Sequence, residues 1–135
     1  MDDEEFLAQF EEGTLPLESF RHPDHVKMAF LYLRKYPAIE ALERFSASLA
    51  RFARAHGKDN LYNETITWAY LLIIRERLAR AGRSQNWPEF LASNEDLMNG
   101  KDSILKKYYR EETLNSGFAK GTFVFPDRLV RPGGE

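Results

Sequence analysis

Three histidines and one glutamate carry the chemistry this chain could do. His22 and His25 stand three apart after Phe20, His56 precedes Gly57, and Glu64 lies in Tyr62-Asn63-Glu64-Thr65. Neutral imidazoles with a carboxylate form the donor set of a zinc or non-haem iron(II) site. In that reading His22, His25 and His56 give nitrogen ligands, and Glu64 is a ligand or general base. Asp24 is an alternative oxygen donor. Tyr62 and Asn63 orient a substrate or a water. Each residue also has a structural role open to it. His22 can cap a helix, and Glu64 can stabilise a first turn. His56 can meet the last carbonyls of its helix, where a protonated ring suits the dipole.

These residues can act together only if helices bring them to one place. The helix that starts at Pro23 is apolar on most of its circumference, through Val26, Met28, Ala29, Phe30, Leu31 and Leu33. Such a helix belongs at the centre of a fold. Pro37 ends it, because the residue before proline is pushed out of the helical region. The third helix carries a single stripe, Ile39, Leu42, Phe45, Leu49 and Phe52, that reaches His56 one turn later; Gly57 stops it. Asp59 or Asn60 caps a fourth helix that runs to about Ala81. In it Glu64, Trp68, Leu71 and Arg75 share a row. Connections as short as these imply antiparallel neighbours. The start of the second helix, the end of the third and the start of the fourth then share one pole. All three histidines and Glu64 fall there.

The rest of the chain supports this bundle. Asp2 to Glu12 is an acidic first helix with Phe6, Leu7 and Phe10 on its apolar side, stopped by Gly13. Thr14 to Phe20 connects, with Pro16 opening a short turn. Asn86 to Leu91 is a short capped helix, and Asn94 to Gly100 a loop. Lys101 to Arg110 reads as a helix with Ile104, Leu105 and Tyr108 inward. Loose turns follow from Glu111 to Gly121. Phe123 to Arg128 is extended, its alternating aromatics lying over the core. The expected fold is all-α, a single domain over residues 1–128, with a bundle of four main helices, short C-terminal helices and an extended C-terminal wrap. Residues 129–135 form a flexible tail.

Composition narrows the function classes. Hydrophobic residues make up 43% of the 135, enough for a real core. The formal charge of −2 lacks the basic excess of a nucleic-acid binder. With no cysteine, disulfides, thiolate ligands and a cysteine nucleophile are excluded. The start is acidic, not a secretory signal. The longest apolar run, Trp68 to Ile74, is far short of the ~20 residues that cross a bilayer. No membrane partner and a cytoplasmic location are expected. Ser46 and Ser48 have no acid–base partner in their helix, and there is no glycine-rich phosphate loop. Arg75, Arg77, Arg80 and Arg83 could hold a phosphate, but cations at a helix C-terminus are ordinary.

Phe20-x-His22-x-x-His25, Tyr62-x-Glu64-Thr65 and Phe123-x-x-Pro126-Asp127-Arg128 resemble the motifs of a group of small uncharacterised bacterial proteins. The resemblance covers Phe20 to Arg128 and implies a fold-sized unit. The group often carries histidine after Tyr62, where this chain has Asn63, a poor ligand for most transition metals.

The leading expectation is a small metal-binding protein that holds a divalent transition metal, zinc or iron, and acts on a small-molecule ligand. Two alternatives stand beside it. One is an interaction module, a homodimer whose polar cluster is structural. The other is a metal-free anion binder at the paired helix starts.

Overall fold

The computed structural model describes residues 1–128; the tail expected at 129–135 lies outside them. Four helices form the bundle: α1 (Asp3–Glu12), α2 (His22–Lys35), α3 (Ala38–Ala55) and α4 (Glu64–Arg80). Three shorter helices follow, α5 (Trp87–Ser93), α6 (Glu111–Leu114) and α7 (Gly117–Gly121). No strand occurs among the described residues, and no helix there is long and apolar enough to cross a membrane.

α2 is central because its burial spans several faces. Val26, Met28, Ala29, Phe30 and Tyr32 are all buried. Phe30 packs against Trp87 and Phe90 of α5, while Tyr32 packs against Phe10 of α1 and Phe45 of α3. Burying one such side chain stabilises the fold by roughly 2–3 kcal/mol. One contiguous core runs from Leu7 to Leu114.

The ends of these helices explain their directions. Asp2 caps α1 by accepting from the Glu5 N–H at 2.8 Å. Pro37 separates α2 from α3, which returns along α2: Tyr32 meets Phe45, and the Arg44 guanidinium lies over the Tyr36 ring. α3 ends in a Schellman motif. Gly57 takes φ +68°, the Lys58 N–H donates to the Ala53 carbonyl at 2.7 Å, and the Gly57 N–H donates to Arg54 at 3.0 Å. The chain therefore turns at once into α4.

Several local expectations are corrected. Arg21, not His22, is the N-cap of α2, and its N–H donates to the Asp24 carboxylate at 2.9 Å. Asn63 caps α4 in place of Asp59 or Asn60, which form a 3₁₀ turn ahead of it. Lys101–Arg110 is not a helix but a 3₁₀ turn over Ile104–Lys107. Beyond it Tyr108 is exposed and Tyr109 is buried, the reverse of the expectation for Tyr108. Ile39, at the start of the α3 stripe, is 76% exposed, and Phe125 is 80% exposed.

Candidate functional site

The start of α2, the end of α3 and the start of α4 do meet. His25, Phe52, Ala53, Asn63 and Ile66 all wall one cleft of about 250 Å³. Leu17, Phe20, Leu49 and Leu61 complete its apolar surface; Lys58, Tyr62 and Thr67 are its other polar members. A smaller cavity of about 60 Å³ lies on the far side of His25, bounded by His22, Phe45 and Tyr70. His25, Leu49, Ile66 and Thr67 wall both spaces.

His25 is held by rings rather than by carboxylates. It packs tilted on Phe20 at 4.0 Å, and burial, His22 and the Phe20 carbonyl, not a carboxylate, set its charge state. Burial lowers its pKa from 6.5 to about 4, with repulsion from His22 adding to the shift and the Phe20 carbonyl opposing it. At neutral pH the ring is an uncharged imidazole, able to give or take a hydrogen bond.

The other histidines are engaged elsewhere. The His22 Nε2–H donates to the Leu97 carbonyl at 2.8 Å, and its ring packs edge-on to Tyr70 at 5.1 Å. Gly100 presses so closely on it that an added Cβ would stand 3.1 Å from His22 Cγ. The His56 Nε2–H donates to the Leu15 carbonyl at 2.9 Å. The Phe52 and Phe20 rings stand between His56 and His25, in a chain of centroid distances of 4.6, 4.9 and 4.0 Å. A carbonyl can only accept, so both Nε2 atoms carry hydrogen, and only Nδ1 is free to ligate.

Glu64 is turned from the cleft. It accepts a short hydrogen bond from the Tyr62 hydroxyl. Burial raises the Tyr62 pKa strongly, and the Glu64 hydrogen bond and charge raise it further, so the phenol stays protonated. Asn63 is fully used: its Oδ1 accepts from the Ile66 N–H at 2.9 Å, and its amide donates to the Leu114 carbonyl at 2.8 Å. The expected donor set of His22, His25, His56 and Glu64 therefore does not converge. No three His, Cys, Asp or Glu groups are placed to hold a metal among the described residues.

Two polar networks escaped the sequence reading. Thr65, completely buried, shares its one hydroxyl hydrogen between the Ala119 and Thr122 carbonyls, at 2.8 and 2.9 Å, and accepts from the Val124 N–H at 3.1 Å. It pins the C-terminal wrap to α4. Tyr32 donates to Glu11 at 2.9 Å and accepts from the Ser48 hydroxyl at 3.2 Å, joining α1, α2 and α3. A lone threonine or tyrosine inside an apolar run gave no sign of such partners. The arginines at the end of α4 pair with carboxylates: Arg77 with Asp96, Arg80 with Glu76, and Arg83, just beyond it, with Glu89.

Comparison with protein-family models, curated proteins and solved structures gives no match.

Proposed function

We propose that this protein binds a small, largely apolar molecule in the cleft over His25. The supporting observation is the cleft itself. Its volume of about 250 Å³ suits a body of roughly ten non-hydrogen atoms. Its walls are mainly aliphatic and aromatic, with a few polar groups set among them, which is the usual make-up of a small-molecule site. The neutral His25 imidazole offers one hydrogen bond to the occupant without the cost of burying a charge.

Binding is favoured over catalysis because the acid–base groups are not paired for work. Among the described residues no carboxylate acts on His25, and Glu64 is held by Tyr62. A metal-centred reading would use the Nδ1 atoms of His22 and His56, and no three His, Cys, Asp or Glu groups are placed together for it among the described residues. The interaction-module reading draws on one feature, the Phe123 ring stacked on Trp68 at 5.3 Å, with the exposed Phe125 ring set edge-on against it.

Ala53→Trp tests the proposal, since Ala53 walls the cleft and its replacement fills it. The expected result is at least a tenfold loss of octanol affinity with unchanged helical circular dichroism. Unchanged octanol binding in a folded variant would overturn the reading.

A further inference from the structure

We infer that the occupant of this cleft is an amphiphilic carboxylate, its head on Lys58 at the rim and its apolar body against Phe52 and Leu61. This inference rests on the cleft being a binding site.

Charge placement carries the argument. Lys58 is the one formally charged side chain on the cleft wall; Asp59 and Glu64 lie near it in sequence, but neither walls the cleft. Among the described residues Lys58 makes no ion pair, a condition it shares with most cations there; what sets it apart is its place on the cleft wall. The position of Lys58 is fixed by backbone. Gly57 at φ +68° and the Lys58 N–H bond to Ala53 set the residue on the rim, directly over the end of α3. The first turn of α4, through Asn63 and Ile66, adds its positive dipole end to the same wall. An apolar cleft with a single cation at its mouth matches an anion on an apolar body. It matches an amine poorly, since the amine would face Lys58 without a counter-charge.

The size of the effect is modest because Lys58 is exposed to solvent. An ion pair of this kind changes affinity by roughly fivefold, and salt weakens it.

The experiment compares octanoate, octanol and octylammonium at pH 7.5, on the full chain and on Lys58→Met. The side chain takes no part in the Schellman bond, so this variant keeps the turn. The expected order is octanoate first, by roughly fivefold over octanol, then octanol, then octylammonium. In Lys58→Met octanoate falls to the level of octanol. If octanol binds as well as octanoate, or if Lys58→Met leaves the order unchanged, the head-group assignment is overturned while the cleft remains a binding site. If none of the three binds, both readings are overturned.

Discussion

The His25 imidazole and the Phe20 ring lie 4.0 Å apart, centroid to centroid, with 31° between their planes. A ring packed this way loses water, and the charged form is the one that suffers. The folded pKa of about 4 lies below the unfolded value of 6.5. Between those values the unfolded chain holds more protons on this group, so stability rises with pH there. The contribution of neutral His25 is complete above pH 6.5 and is lost as pH falls through about 4. The loss is on the order of 2 kcal/mol for a ring that keeps some contact with water. A proton NMR titration is expected to place the His25 midpoint near pH 4. A midpoint at or above 6 would refute the burial argument.

Asn63→Ala removes both the cap of α4 and the link to Leu114. The cap is worth about 1 kcal/mol, and the buried Leu114 carbonyl left without its donor costs about as much again. Asn63→Asp keeps the cap oxygen and loses the link. Urea denaturation is expected to rank wild type first, with both variants below it. Asn63→Asp as stable as wild type would show that the Leu114 bond contributes nothing.

Thr65→Val keeps the shape of a residue and deletes its hydroxyl. The Ala119 and Thr122 carbonyls, which share its hydrogen, and the Val124 N–H then lose their partner, at a cost of about 2–3 kcal/mol. Hydrogen exchange should quicken in residues 117–128 and stay slow in α2. Equal quickening in both would mean that the wrap is not a separate unit.

Gly100→Ala would bring a methyl group to 3.1 Å from the His22 ring. Either the ring or the loop must give by a few tenths of an ångström, and a shift of the ring lengthens the hydrogen bond to Leu97. Nitrogen NMR shifts are expected to show His22 in wild type as the Nε2–H tautomer and in the variant as a mixture. An unchanged tautomer would show that the loop, not the ring, gives way.

The helices that build the cleft were legible because proline and glycine punctuate them: Pro23, Pro37 and Gly57 mark starts and stops whatever the tertiary context. Their meeting at one end was legible too, since short connections leave few topologies. The aim of each side chain was not. His22 finds its partner in Leu97 and His56 finds its own in Leu15, far along the chain. Local spacing holds no trace of such pairings. Asn63 looked like a lost metal ligand and is a cap with a second anchor. Lys58 belongs to no motif and yet walls the cleft. Tyr109 replaces Tyr108 in the core, and its hydroxyl donates to the Val124 carbonyl at 2.6 Å, a partner far along the chain.

Metal uptake separates the two histidine readings. With no three His, Cys, Asp or Glu groups placed to hold a metal among the described residues, protein purified without a histidine tag is expected to hold less than about 0.1 equivalent of zinc or iron after reconstitution. A full equivalent, lost on His25→Ala, would restore a metal site.

A methyl NMR titration with octanol tests the central claim most directly. Leu49, Leu61 and Ile66 wall the cleft, while Leu97 and Ile104 do not. The predicted result is a saturable shift of the first three with the last two unmoved. Absence of any saturable shift, or a shift confined to the neighbours of Phe123 and Phe125, would contradict it.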